Sequence, residues 1–326
     1  MTTTDANPGM SGLGQGPTIA RVVEANRVQA ADRLVAVSAG GQRDAGRRFL
    51  KAAAEHSVSL QHFWASIGAR GEVREVCLAV PGAGRTAMVF VSSPDSQERQ
   101  QEAADVVRKA CGALEGLVLA QALLEAHETA PRRVLELAGF QSLDELIYLR
   151  RPRPAPREIG PASELIRQLP PGVELRSYTQ RDESALKRAL EETYIGTLDC
   201  PELCGVRSME DVLDSHRASG RGDQSLWWLV IENGEVHGTV LFNPSPEQSS
   251  IELVYFGLAP SMRGRGLGTP LLKIALSQLA GRKEHVVCCA VDARNTPARK
   301  LYEKLGFSEF GRRKAMILPL AGAKRP

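Results

Sequence analysis

A chain of 326 residues, 43% hydrophobic and 24% charged, is long enough for two domains, each with a core of its own. Its 41 lysines and arginines against 38 acidic residues leave a net charge of +3, which asks for neither nucleic acid nor an acidic membrane surface as partner. No apolar run approaches the ~18 residues of a membrane-spanning helix and MTTTDANPGMSGLGQGP is no charged-then-apolar leader, so the cytoplasm is the expected compartment.

In chain order, residues 1–16 are expected to be a flexible N-terminus and 17–152 a first domain. Within it GAGRTA (82–87) fits the glycine pattern of a dinucleotide loop, but the MVFVSS that follows reads as a strand, so a hairpin turn is expected. LRRPRPAPREIGPAS (149–163) combines four arginines with four prolines and interrupts the surrounding periodicity; it reads as connector, and 153–170 is taken as the linker to a second domain at 171–326.

That second domain begins with a strand (VELRSYT), two helices (ESALKRALEETY, MEDVLDSHRAS), a strand (SLWWLVIE), the turn ENGE and a strand (VHGTVLF). The strand SSIELVYFGLAP then runs into Pro260, followed by a glycine loop and helix, the strand HVVCCAV, the helix TPARKLYEKLG and a last strand, KAMILPL. The order implies an α/β fold with a mixed sheet.

The loop MRGRGLGTPLL (262–272) carries the chemistry. Glycines at 264, 266 and 268 leave main-chain N–H groups bare at a helix N-terminus, where the helix dipole favours negative charge, so a diphosphate is the natural guest. Arg263 and Arg265 are expected to add charge at its rim. Leu267, Leu271, Ala275 and Leu279 form one helical stripe, with Pro270 tolerable only in the first turn. No Gly-Lys-Ser/Thr follows, which excludes a Walker loop, and the dinucleotide pattern fails at Thr269.

Six cysteines, at 77, 111, 200, 204, 288 and 289, make no metal-ligand array; no metal is expected, and Cys288 and Cys289 read as strand core.

Sliding the chain against itself across the linker aligns VFVSSPDSQERQQE from 89 with YFGLAPSMRGRGLG from 255, and ETAPRRVLELAGF from 128 with NTPARKLYEKLGF from 295. The second pair keeps five identities in thirteen positions, and the offsets, 166 and 167, agree to one residue. One α/β unit has been duplicated. Gln100 and Glu102 face Gly266 and Gly268, so the first copy is expected to be degenerate.

The string Arg263-Gly264-Arg265-Gly266-Leu267-Gly268 after a strand, with NTPARKLYEKLGF (295–307) after the next strand, resembles the GNAT superfamily of N-acetyltransferases over most of 172–320. The duplication is similar to the tandem acetyltransferases, of which mycothiol synthase is one branch. The resemblance implies two GNAT-like acyl-coenzyme A N-acyltransferase domains and acetyl-coenzyme A as cosubstrate. Its diphosphate would lie on the amides from Arg265 through Gly266, Leu267 and Gly268 to Thr269. It also implies that the Leu258 N–H polarises the thioester carbonyl, that Asn295 bonds the pantetheine arm and that Tyr302, two helical turns on, protonates the leaving thiolate.

The attacking amine must lose a proton, and Glu252 is the candidate base. Six residues before Leu258, it lies on the same strand face if the strand is regular, and desolvation between Ile251 and Leu253 would raise its proton affinity. A strand glutamate is otherwise an ordinary solvent-facing residue; the counterpart here in the first copy is Thr86. Asp199 and Glu202 are candidates to attract the amine, and Trp227 or Trp228 to wall its pocket. The expected acceptor is a small-molecule or protein amine, with oligomeric state open. Two rival functions stand beside the enzyme: a non-catalytic acyl-coenzyme A sensor or scaffold, and an aminoacyl transferase drawing on tRNA, against which the balanced charge and intact glycine loop argue.

Overall fold

The computed structural model describes residues 16–36, 43–160, 162–220 and 222–322. The expected flexible segment 1–16, apart from Gly16, lies outside the described residues. The first half supplies strand β1 (Thr18–Arg21), helices α1 (Arg27–Val35) and α2 (Ala45–Glu55), strands β2 (His62–Ile67), β3 (Val73–Gly82) and β4 (Thr86–Val91), helix α3 (Gln97–Gly112), β5 (Leu119–Leu124), α4 (Thr129–Leu137) and β6 (Gln141–Pro152). After the short helices α5 (Pro156–Ile159) and α6 (Ala162–Ile166) come β7 (Val173–Ser177), α7 (Glu183–Tyr194), α8 (Met209–Ala218), β8 (Trp227–Glu232), β9 (Glu235–Ser245) and β10 (Ser250–Leu258). The chain ends with α9 (Gly268–Ser277), β11 (Val286–Asp292), α10 (Thr296–Lys304) and β12 (Ser308–Pro319).

The duplication persists in the elements. Helices α4 and α10 and strands β6 and β12 have equal lengths and lie 167 positions apart. GAGRTA forms the expected turn between β3 and β4, with Gly84 and Arg85 left-handed at φ +66° and +54°.

The chain divides into two compact units, and the division does not follow the linker. One unit holds the described residues up to Val80 together with Val89–Glu115 and Thr129–Gly139; the other holds Pro81–Met88, Gly116–Glu128 and everything from Phe140 on. In the first unit β1, β2 and β3 pair antiparallel around a core of Phe63, Ala65, Val76 and Leu78. In the second, the start of β4 pairs parallel with β5, and from there the order is β5-β12-β6-β11-β10-β9-β8-β7.

The last strands of the two copies are thus exchanged in position. Strand β6 lies between β11 and β12, antiparallel to both, and β12 lies beside β5. The expected domain end at 152 therefore falls on a strand inside the second unit. Its arginine-rich end is structural as well. Arg151 is buried, donates to the Leu305 carbonyl at the end of α10, pairs with Glu158 and stacks its guanidinium 5.9 Å from the Phe307 ring centroid. Hydrogen bonds to the backbone and an ion pair are what make an arginine tolerable there.

Helices cover both faces of the second unit's sheet, so both tryptophans are buried. Trp228 packs with Phe242, Leu272 and Leu276 on the α9 side; Trp227 packs with Leu186, Leu190 and Leu213 on the α7 and α8 side. The α9 stripe is buried as the spacing predicts, with Leu267, Leu271, Ala275 and Leu279 each at most 2% exposed. Each such leucine contributes ~2 kcal/mol.

A fragment of residues 171–326 lacks β6 and leaves the facing edges of β11 and β12 unpaired. It is expected to show no cooperative thermal transition by circular dichroism, whereas the full chain does; a folded, cooperatively melting fragment would contradict the exchanged-strand arrangement.

Candidate active site

Strand β10 pairs antiparallel with β9 along its length, but parallel with β11 only at Ser250, Ile251 and Glu252. Beyond Glu252 the two strands part. Strand β11 holds instead to β6 through all seven residues, from Val286 to Asp292. The edge of β10 facing the gap is unpaired from Leu253 on. The Ala259 amide donates to His237 on β9 at 2.7 Å, so alternation turns the Leu258 and Phe256 amides toward the open edge. Sequence reading singled out Leu258 alone; Phe256 lies two residues nearer Glu252 and points the same way.

A bulge corrects the expectation about faces. Leu253 opposes Phe242 while Tyr255 opposes Leu241, so Val254 is an extra residue. Glu252 therefore shares the face of Asn243 and Leu241, while the Leu258 side chain lies on the other, packed against the core that contains Leu267 and Leu271.

The glycine loop follows β10 directly. Gly264 and Gly266 have φ of +72° and +75°, and a Cβ at either would meet no atom within 4 Å. Their backbone shape requires glycine and the space beside them is open. Gly268 is constrained in a different way: a Cβ there would come within 3.2 Å of the end of the Leu301 side chain on α10, which would have to shift by a few tenths of an ångström.

The two arginines are not free rim charges. Arg263 is a bracket: its Nε donates to the Leu258 carbonyl at 2.9 Å, and its terminal nitrogens to the carbonyls of Thr193, Ile195 and Gly196 at the end of α7, at 2.7–3.1 Å. Arg265 forms a bidentate pair with Glu232, at 2.6 and 3.2 Å. Both guanidiniums are thus engaged within the protein.

Across the gap, Asn295 caps α10, its Oδ1 accepting from the Ala298 amide at 3.2 Å. Its side chain also bonds Asp199, whose Oδ1 accepts from the Asp292 amide at 2.9 Å. Burial is the largest influence on the Asp199 carboxyl and raises it; the hydrogen bonds from Asp292 and Asn295 oppose the shift. Tyr302 is buried against Phe307, with ring centroids 5.6 Å apart, and burial holds its phenol well above the usual tyrosine value, aided by Cys289, Asp199 and Tyr255. The same groups thus surround the parted strands: Tyr255 from one face, Tyr302 from the other, Asp199 at the end.

The structure places the other two acceptor-side candidates as follows. Glu202 is held by Arg294 at 2.7 and 3.0 Å and its carboxyl is lowered by that pairing. Trp227 is fully buried, its indole N–H donating to Asn243 at 2.8 Å. Neither lines the cavity at Glu252, and paired tryptophans in the sequence carry no signal of which face is covered.

The cavity lies on the α7 and α8 face and has a volume of about 580 Å³. Glu252 and Ser250 line it from β10, Cys288 and Ala290 from β11, Tyr148 from β6 and Arg313 from β12. Glu252 is half-buried and its Oε2 accepts from Ser219 Oγ at 2.6 Å. Of the two adjacent cysteines only Cys289 is core. Cys288 faces the cavity, and burial, with the charge of Glu252, pushes its thiol up to about 11. Among the described residues no His, Cys, Asp and Glu cluster suits a metal ion, and no helix is long and apolar enough to cross a membrane.

The first copy is built differently at the matching positions. Glu102, aligned with Gly268, accepts from Arg74 at 2.9–3.1 Å and from Ser66 at 2.5 Å. Burial would raise its carboxyl, but these bonds and the charge of Arg99 hold it below the usual range. Thr86, aligned with Glu252, turns its hydroxyl to the Ala83 carbonyl at 3.1 Å.

Residues 189–307 match the acetyltransferase (GNAT) family. The mycothiol acetyltransferase of Thermomonospora curvata is 32% identical over 57% of this chain and 59% of its own length. That of Streptomyces griseus is 28% identical over 74% and 78%. The first match therefore spans under two thirds of that relative. The GCN5-related N-acetyltransferase from Sphaerobacter thermophilus shares the fold with a TM-score of 0.56 over 95% of this chain and 96% of that one, at 22% identity. A fungal protein with a GCN5-related glucosamine N-acetyltransferase region matches at a TM-score of 0.60 and 12% identity, over 94% of this chain and 38% of that one. The parted strands, the glycine loop and the sequence match agree in placing the resemblance to the acetyltransferase (GNAT) family in residues 189–307, from within α7 to the turn before β12.

Proposed function

We propose that the second copy transfers an acetyl group from acetyl-coenzyme A to a primary amine by direct attack. The observation that carries this reading is the parting of β10 from β11 at Glu252, which leaves an open row of amides leading from the glycine loop to a carboxylate in a cavity.

The loop amides from Arg265 to Thr269 take the diphosphate, while Arg263 holds the loop in shape rather than binding phosphate. The pantetheine arm runs along the open edge of β10. The Leu258 and Phe256 amides face it, and Phe256, nearer to Glu252, is placed for the thioester oxygen. Asn295 meets the arm from the other side once Asp199 yields it.

The acceptor enters through the cavity on the Glu252 face. Glu252 takes a proton from the amine, directly or through water; the amine nitrogen bonds to the thioester carbon, and the carbon–sulfur bond breaks. Tyr302, kept protonated by burial, gives its proton to the departing thiolate. Cys288 also stays a thiol near neutral pH, which favours direct transfer over an acyl-cysteine intermediate.

The relatives' name, mycothiol acetyltransferase, supports the reading that the acceptor is a small molecule. We read the first copy as unable to hold the coenzyme, because Glu98 and Glu102 stand in the first two turns of α3 where the second copy has a bare loop.

The test is thiol release from acetyl-coenzyme A over a panel of amino sugars, amino acids, polyamines and lysine peptides. Amine-dependent release is expected; coenzyme binding without it against every class would instead fit a sensor. Glu252→Gln is expected to lower kcat roughly a hundred- to ten-thousand-fold with coenzyme affinity unchanged, and wild-type turnover would remove Glu252 from the chemistry. Gly266→Val is expected to weaken coenzyme A binding at least about tenfold by calorimetry, since a β-branched residue at this φ costs ~1–2 kcal/mol and its side chain enters the open space; unchanged affinity in a folded variant would refute the anion site.

A further inference from the structure

We infer that Ser219 is the positioning residue of the proposed base, fixing which oxygen of Glu252 receives the proton. This rests on the reading of Glu252 as base. Ser219 follows the last residue of α8, and the main chain there is held from several sides. Its amide donates to Ser215 at 3.2 Å, closing the helix. Its carbonyl accepts from Asn243 Nδ2 at 2.7 Å. Asn243 is fully buried and fixed in turn: it donates to the His216 carbonyl at 2.6 Å and accepts from Trp227 Nε1 at 2.8 Å. It is also the cross-strand partner of Glu252.

The next residue closes the arrangement. Gly220 has φ +59°, and a Cβ there would lie 2.4 Å from the Pro244 carbonyl oxygen. Only glycine lets the chain leave α8 this close to β9. The far end of α8 is anchored too, with Ser208 capping through Asp211 and Asp211 in a bidentate pair with Arg85 at 2.7–2.8 Å.

The result is a hydroxyl whose position is set by the backbone and buried amides, 2.6 Å from Glu252 Oε2. A carboxylate only accepts, so Ser219 donates. One oxygen is engaged, and the other remains to take the amine's proton. The neighbouring groups do not supply this restraint. Cys288 and Tyr148 are both kept protonated, chiefly by burial and further by the charge of Glu252, and Arg313 is paired with Glu125 at 2.8 Å.

Support of this kind appears in kcat rather than in binding. With acetyl-coenzyme A and the panel amine giving the highest turnover, Ser219→Ala is expected to lower kcat roughly tenfold, the loss of one hydrogen bond to a charged group, with KM for both substrates unchanged. Ser219→Cys keeps the volume but donates weakly and should behave like Ser219→Ala; Ser219→Thr should restore turnover. In the Glu252→Gln background, Ser219→Ala should add no further loss, because both changes act through one carboxylate. An inactive Glu252→Gln enzyme with wild-type kcat in the Ala and Cys variants, or losses that multiply in the double variant, would overturn the positioning role. Wild-type turnover in Glu252→Gln would fail the underlying reading instead.

Discussion

The site exists because β11 is committed elsewhere. A parallel strand beside β10 would normally consume the amides along its edge, yet β11 pairs with β10 for three residues and with β6 for seven. Strand β6 comes from the first copy of the duplication, so the half that lacks the glycine loop still shapes the half that has it. It supplies the partner that β11 follows, and through Tyr148 it supplies one wall of the cavity. An unpaired run of amides is costly where it is buried. In this fold it faces a gap rather than a core, which is what an extended polar ligand requires.

A second constraint sets the loop. Bare amides at a helix N-terminus attract an anion only if the loop keeps its shape, and two left-handed glycines are not sufficient for that. Arg263 ties the loop's first residue to the end of β10 and to three carbonyls at the end of α7. Its charge complements the negative end of that helix's dipole. Arg263, expected at the rim of the loop, is thus engaged within the fold, as is Arg265 with Glu232.

What was legible in the sequence was local or periodic. The helices at 183–194 and 296–304, the hairpin at 82–87 and the buried α9 stripe all follow from spacing within about a dozen residues. The duplication was legible because equal offsets accumulate over long segments. Contacts between distant elements were not. The Glu202–Arg294 pair, the burial of Arg151 among prolines that read as linker, and the exchange of β6 with β12 each join residues some 90 or more positions apart. The bulge at Val254 failed for another reason: alternation counting assumes a regular strand, and one extra residue reverses every face beyond it. Ser219 carried no signal at all, since a serine ending a helix is commonplace.

The proposed reaction requires the coenzyme to lie in the second copy along the open edge of β10. A crystal structure with acetyl-coenzyme A soaked in tests this directly. The diphosphate should sit within hydrogen-bonding distance of the amides at 265–269, with the arm on Leu258 and Phe256 and the acetyl group toward Glu252. A coenzyme seated in the first copy, or away from the gap between β10 and β11, would contradict it.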